Sequence, residues 1–321
     1  MSELETKSAP PFAKHFDGKH FYNPNSRQVP GYLNALWWKL TSRGEPSPRF
    51  ISDVVQTIPP NQVKSGELRA TVINHSTVLL QERTSNILTD PIWSKRSSPF
   101  SWVGPRRRRS PGVEREDIPR IDIVLLSHNH YDHLDLPTLR WLARRGDSVF
   151  IAPVGVSRLL RSERIGPVHE LDWGDATTVD TTTVHCVPAL HFSGRGLFDR
   201  NRTLWCGYVI QADKHTTYFA GDTGFGDHFR QIRERFGSPR LSLLPIGAYD
   251  PRWFMSPIHM DPMEAVRAHE ILGSHTSVAV HHGTFQLADD GIDTPKHTLL
   301  ASSKPDSFLI LDNGQSIGIH A

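Results

Sequence analysis

Six consecutive residues, His128-Asn129-His130-Tyr131-Asp132-His133, carry four potential metal ligands, and with Ser127 they follow directly on the largely apolar run Ile121-Asp122-Ile123-Val124-Leu125-Leu126. The combination predicts a buried strand that ends in a metal-binding loop. Neutral imidazole and carboxylate suit zinc and similar divalent ions, and the cluster contains no thiolate, which points to a catalytic site rather than a structural one. His128 and His130 are two apart, so in extended backbone both side chains leave one face and converge on one ion. Asp132 and His133 lie at the turn into the next helix, read from Leu136-Pro137-Thr138-Leu139-Arg140-Trp141-Leu142. That change of direction aims them at a second ion. The plain alternative is a solvated, histidine-rich loop, which the position just after a buried strand disfavours.

The chain has 321 residues, enough to bury a large core, and the pattern favours one large domain over two small ones. Lys and Arg total 36 against 34 Asp and Glu, a formal charge of +2, so no overall field recruits nucleic acid or an anionic surface. Only Cys186 and Cys206 are present, which excludes a disulfide framework and fits a reducing compartment. Both read as small buried apolar residues. Met1-Ser2-Glu3-Leu4-Glu5 lacks the basic-then-apolar pattern of a secretion signal, and no apolar run approaches the roughly 20 residues needed to span a bilayer. The expected location is cytoplasmic, with peripheral contact to a membrane allowed.

Residues 1–65 are rich in proline and scattered aromatics with little period, and read as an irregular arm carrying one short helix near Tyr32-Leu33-Asn34-Ala35-Leu36-Trp37-Trp38-Lys39-Leu40. Residues 66–321 read as the main domain. Strands are expected at 68–73, 77–81, 86–89, 121–126, 148–151, 183–187, 205–211, 217–220, 241–245, 277–280 and 308–311, and helices at 154–161, 227–236, 262–272 and 295–302. Many short strands, some hairpin-linked and some followed by helices, suggest two sheets sandwiched between helical layers.

In that arrangement loops after several strands bring further ligands to one edge. His191 follows Val187-Pro188-Ala189-Leu190, Asp222 follows Tyr218-Phe219-Ala220-Gly221, and His281 follows Val278-Ala279-Val280. Each alone reads equally well as a surface histidine, a turn aspartate or a capped loop. Their recurrence at strand ends favours a shared site.

The order His-x-His-x-Asp-His followed by a later His, Asp and His resembles the metallo-β-lactamase superfamily. More narrowly, the chain resembles the N-acyl-phosphatidylethanolamine-hydrolysing phospholipase D family. The motifs are Leu88-Thr89-Asp90-Pro91-Ile92, the Ser127 to Asp135 segment, Phe219-Ala220-Gly221-Asp222-Thr223-Gly224, and Pro245-Ile246-Gly247-Ala248-Tyr249-Asp250-Pro251-Arg252-Trp253-Phe254-Met255. The resemblance runs from about Phe21 to the C-terminus. It implies an α/β (α+β) fold, a four-layer αββα sandwich of the metallo-β-lactamase type, with two zinc ions per chain. His128, His130 and His191 would hold one ion, Asp132, His133 and His281 the other, and Asp222 would bridge them. His281 is matched in preference to His282 because the family histidine precedes a variable residue and then Gly283-Thr284-Phe285. Asp90 is placed to orient a ligand histidine. His75 matches a family motif in part, and its role as such a partner or as a core histidine stays open.

Two zinc ions about 3.5–4 Å apart can share a hydroxide and polarise a phosphoryl or acyl oxygen, so no protein nucleophile is required. No Gly-x-Ser-x-Gly elbow is present. The implied reaction is in-line attack on a phosphodiester, releasing an alcohol and leaving a phosphomonoester. Asp132 and Asp222 would be catalytic as well as ligating. His259 matches a family histidine near the substrate, and a contact at the start of the next helix is the bland alternative. The implied partners are a phospholipid or other phosphodiester and a peripheral membrane surface, with a homodimer allowed and no nucleic acid. The lipid reading rests on Phe12, Phe16, Phe21, Tyr22, Tyr32, Trp37 and Trp38 with the basic run Arg106 to Arg109. The bland alternative puts the aromatics in the core and the arginines in a solvated loop. Competing functions are a lactonase or nucleotide phosphodiesterase with the same zinc pair, a di-iron oxidoreductase, and a non-catalytic metal-binding module. The di-iron proteins carry Glu where this chain has His130, which favours zinc hydrolysis.

Overall fold

The computed structural model describes residues 12–24, 29–83, 85–146, 148–212 and 215–320. The first five residues, on which the expected lack of a secretion signal rests, lie outside the described residues.

Two mixed seven-stranded sheets face each other. The first contains β1 (Glu67–Asn74), β2 (Thr77–Glu82), β3 (Ser85–Thr89), β4 (Ile123–Leu125), β5 (Val149–Pro153) and β6 (Val168–Leu171), in the order β14-β1-β2-β3-β4-β5-β6 with β14 at Ser316–His320. The second contains β7 (Ala176–Val179), β8 (Thr182–Val187), β9 (Gly207–Ala212), β10 (His215–Phe219), β11 (Leu241–Pro245), β12 (Thr276–Val280) and β13 (Phe308–Leu309), in reverse numerical order.

Period-two alternation builds the layers. Leu68, Ala70 and Val72 of β1, Val78 and Leu80 of β2, and Ile123 and Leu125 of β4 point between the sheets, where they meet Val184, Tyr208, Ile210, Phe219, Leu243 and Val280. The alternate residues Leu79, Leu88, Val124 and Phe150 point outward onto Leu139 and Leu142 of α2 (Leu136–Arg145) and Leu160 of α3 (Ser157–Ser162). On the far side Val209, Tyr218, Leu244 and Ala279 pack against α4 (His228–Phe236), α6 (Pro262–Leu272) and α7 (Thr294–Ala301). The result is the expected αββα sandwich. Strands such as β4 and β11 are apolar on both faces because each face of the sheet is covered.

Helix α6 starts where its sequence dictates. The Asp261 side chain accepts from Glu264 N at 2.8 Å and Glu264 returns the contact to Asp261 N at 3.1 Å, a capping box with Pro262 at the first helical position. It follows α5 (Arg252–Met255), a short helix not expected from the sequence. β6, β7 and β14 were also not expected. The helix expected from 154 begins at Ser157, and the strand expected over 308–311 is two residues long.

The N-terminal segment touches the sandwich at several points. Phe21 joins the central core, and Asn23 donates to His191 O at 2.8 Å while accepting from Trp205 Nε1 at 2.9 Å. Helix α1 (Tyr32–Thr41) sets Trp38 on Phe254 of α5, ring centroids 5.2 Å apart. The aromatics therefore divide: Phe21 and Trp38 complete the core, while Phe16, Tyr22 and Trp37 are exposed. Among the described residues no helix is long and apolar enough to cross a membrane.

The run Arg106 to Arg109 is not the uniformly exposed basic stripe that its composition suggested. Arg106 is exposed, but Arg107 is buried and donates to Ser94 O and Ile92 O. Arg109 bridges Asp53 and Asp293, each at 2.9 Å. Backbone pairing of this extended segment turns alternate side chains inward.

Candidate metal centre

All the expected ligands meet at one edge, where the C-terminal ends of β4, β8, β10 and β12 release loops. Gly221 permits this convergence, because a Cβ there would lie 2.7 Å from Ser127 Cβ, the residue that opens the histidine loop of the facing sheet. Three other residues of the edge, His75 (φ 47), Asp90 (φ 33) and His281 (φ 59), hold left-handed backbone that is uncommon outside glycine.

The side chains form two groups with a carboxylate between them. His128 Nε2 lies 2.8 Å from His130 Nδ1, which lies 3.2 Å from His191 Nε2. On the other side Asp132 Oδ2 is 3.1 Å from His133 Nε2, 3.3 Å from His281 Nε2 and 3.0 Å from His75 Nε2. Asp222 Oδ2 stands 3.1 Å from both His133 Nε2 and His281 Nε2, and 3.9 and 3.8 Å from His128 and His191. The two groups, His128/His130/His191 and His75/Asp132/His133/His281, each bring their ligand atoms within 4.8 Å of one another.

Neighbouring groups fix these rings. Asp90 accepts from His133 Nδ1 at 2.6 Å and from Ser127 N and Oγ at 2.7 and 2.5 Å. His191 Nδ1 meets Ile258 O at 3.0 Å. His75 packs against His281 with centroids 4.2 Å apart and planes tilted by 41°, and lies edge-on to Phe285. His282, by contrast, belongs to neither donor group; it lies beside Arg109 and Lys296, and burial pushes it down to about 4. His259 is buried beside the cluster, its ring 5.0 Å from His191 and 5.3 Å from His281. Its carbonyl also receives Arg252, so helix entry and proximity to the site are both satisfied.

Charge separates the two groups. Burial, reinforced by neighbouring imidazoles, pushes His130 to about 3 and His128 well below its ordinary value, and burial takes His191 to about 4. Burial also opposes charge on His133 and His281, but the carboxylates outweigh it: Asp222, Asp132 and Asp90 raise His133 well above normal, and Asp222 with Asp132 raises His281 to about 9. Asp132 and Asp222 are correspondingly held well below the usual carboxylate range against the effect of burial, chiefly by His133 and, for Asp222, His281. The carboxylates thus demand positive charge in the centre of the cluster. Asp222 Oδ1 is buried with no hydrogen-bond partner among the described residues, and His133 Nε2, though 3.1 Å from both carboxylates, makes no aligned hydrogen bond. An all-imidazole and carboxylate set with orphaned inward atoms fits divalent cations.

Two contributors carried no signal in the sequence. Arg195 donates to Asn129 O and Leu134 O at 2.8 and 2.9 Å, tying down both ends of the histidine loop. Phe192 packs its ring on His130 at 4.5 Å, and His130 is the half-buried member through which the cluster opens. Clefts of about 410 and 500 Å³ lie elsewhere, and none of the cluster residues lines them.

Residues 85–282 match the beta-lactamase superfamily domain. This chain belongs to the metallo-β-lactamase superfamily. An uncharacterised protein of Mycobacterium tuberculosis is 42% identical over 285 residues, covering 87% of this chain and 75% of the relative. The N-acyl-phosphatidylethanolamine-hydrolyzing phospholipase D 1 of Caenorhabditis elegans is 35% identical over 314 residues and 88% of each chain. Among solved structures, the isothiocyanate hydrolase from Delia radicum gut bacteria superposes with a TM-score of 0.64 at 23% identity, over 79% of this chain and 100% of that one. That likeness shows the fold. The superfamily membership, the phospholipase relatives and the metal-competent cluster together make this chain a metal-dependent hydrolase.

Proposed function

We propose that the chain is a dinuclear zinc phosphodiesterase of phospholipase D type that acts on N-acyl-phosphatidylethanolamine-like lipids. The position of Asp222 Oδ2 carries the dinuclear part, since it faces both donor groups at once. The 35% identical phospholipase relative supports the substrate class. In this reading residues 66–321 form the hydrolase domain and residues 1–65 an arm on it. His128, His130 and His191 hold one ion, Asp132, His133 and His281 the other, and Asp222 spans them. When bound, such a pair supplies an acidified water and charge stabilisation for a phosphoryl oxygen.

The chain's own groups do the rest. Asp90 fixes the His133 ring and His75 fixes the Asp132 carboxylate, so both present constant geometry. His259, held neutral by burial and with Nδ1 unpartnered among the described residues, is a side chain beside the cluster available to hydrogen-bond the phosphate or the departing alcohol oxygen. One water is consumed, the phosphorus–oxygen bond to the headgroup alcohol breaks, and a phosphomonoester and a free alcohol result.

The test is metal content together with headgroup release from N-acyl-phosphatidylethanolamine by wild type and Asp222→Asn, with a homoserine lactone and a bis-aryl phosphodiester as competing substrates. The proposal expects two zinc ions per wild-type chain, preference for the lipid, and loss of at least a hundredfold in turnover with loss of metal in the variant, on the order of 3 kcal/mol of transition-state stabilisation. Undiminished turnover by Asp222→Asn would refute the dinuclear mechanism, and preference for the lactone would refute the substrate.

A further inference from the structure

A cleft of about 500 Å³ opens on the outer side of the first sheet, beside the start of α2, and four cations line it against two carboxylates: Lys95, Arg106, Arg107 and Arg115 against Glu114 and Glu116. Arg115 is paired with Glu116 at 3.4 Å. Among the described residues, no carboxylate lies within ion-pair distance of Lys95, Arg106 or Arg107.

Arg107 is the unusual member. It is 7% exposed, it spends Nε and Nη2 on the carbonyls of Ser94 and Ile92, and its Nη1 is buried with no partner among the described residues. Asp135 and Glu114 act on it only from beyond contact, and burial pushes it down to about 10. Burying a guanidinium without a counter-charge is unfavourable, and the usual resolution is an anion. Its guanidinium carbon lies over the Phe285 ring, 5.1 Å from the centroid.

A second feature marks the source of that anion. Lys95 and Arg106 stand at the base of a loop closed by the bridge between Arg96 and Arg106 and by Ser97 N to Pro105 O at 3.1 Å. The loop carries Phe100 (53% exposed), Trp102 (75%) and Val103 (44%), and its two aromatic rings sit 5.7 Å apart. Exposed aromatics beside an unpaired basic cleft suit the interface of an anionic bilayer, where rings settle at headgroup depth and cations meet phosphate.

We propose that this cleft binds a phosphoryl oxyanion, supplied by the headgroup of an anionic phospholipid, with the 97–105 loop as the inserting element. The site is separate from the metal centre and does not depend on the proposed reaction, because binding is read without turnover.

The experiment is co-sedimentation of the full chain with phosphatidylcholine vesicles containing or lacking phosphatidic acid, alongside calorimetric titration with inorganic phosphate. The variants are Lys95→Gln/Arg106→Gln, both at exposed positions, and Trp102→Ala, with melting temperature and metal content as checks on folding. Wild type is expected to bind the anionic vesicles at least tenfold better than either variant, to lose binding as salt rises, and to bind phosphate more tightly than the double variant. Equal vesicle binding by wild type and both folded variants overturns the proposal. A phosphate response confined to wild type without any vesicle binding overturns the lipid headgroup as its source. Recruitment that concentrates the chain by self-association, seen as a concentration-dependent increase in mass without vesicles and abolished in Trp102→Ala, overturns it in favour of a second copy.

Discussion

His133 Nδ1 donates to Asp90 Oδ2 across 2.6 Å, and both side chains are sealed from solvent. The Asp90 carboxylate accepts two further bonds from Ser127, so every hydrogen bond the side chain makes requires acceptor oxygens. Asn at this position turns an amide NH₂ toward a donor. Asp90→Asn is therefore expected to lower metal affinity about 10–100-fold, as loss of such orienting partners does elsewhere. Competition with a chromogenic chelator measures it, and unchanged affinity would show that Asp90 serves the backbone turn alone.

His75 is buried against the same group. Its Nε2 meets Asp132 at 3.0 Å, its carbonyl accepts from His281 N at 2.9 Å, and its own N–H donates to Thr284 Oγ1 at 2.9 Å. A purely structural histidine would tolerate replacement by Asn, which accepts the left-handed backbone. If His75 instead positions Asp132, His75→Asn should keep a near-normal melting temperature while one metal per chain binds about tenfold more weakly. Full retention of both metals would return His75 to the core.

The layers were legible because alternation is a local signal, and so were β4, β11 and β12, whose two buried faces leave largely apolar runs. β6 and β7 escaped because His169, Glu170 and Thr178 face solvent near the sheet edges. β14 escaped for another reason: it is a short strand containing Gly318, and its partner β1 lies at the other end of the domain. The metal cluster shows the same division. The contiguous His128 to His133 motif announces itself, whereas Arg195 acts through carbonyl contacts that any arginine could make. The run Arg106 to Arg109 misled because composition does not say which side chains turn inward.

Proton release should distinguish the two halves of the cluster. His130 and His191 sit near 3 and 4 because burial disfavours their charge, so they are neutral at pH 7. His281 is raised to about 9 by Asp222 and Asp132 in spite of burial, so a cation there must displace a proton. Affinity of that half should fall as pH drops below about 9, by about tenfold per pH unit for each proton displaced. In the metal-free chain the sign is reversed. The raised His281 stabilises the fold fully below its ordinary 6.5, and that contribution is lost as pH rises through about 9. Calorimetry at pH 7 in buffers of differing ionisation enthalpy gives the proton count, and heats independent of buffer would contradict the charge pattern.

Gly247 follows β11, and a Cβ built there would lie 2.2 Å from the His281 carbonyl oxygen. The obstacle is backbone, so no side-chain rotation relieves it. Gly247→Ala must displace His281, whose φ of 59° already holds it in a sparsely populated conformation. Overpacking of this kind costs about 1–3 kcal/mol. The displaced imidazole should also leave Asp132 and His133 without their third partner. The variant is expected to unfold at lower denaturant and to retain less than its full metal content at pH 7. Wild-type stability and full metal loading together would show that the ends of β11 and β12 separate without moving the His281 ring.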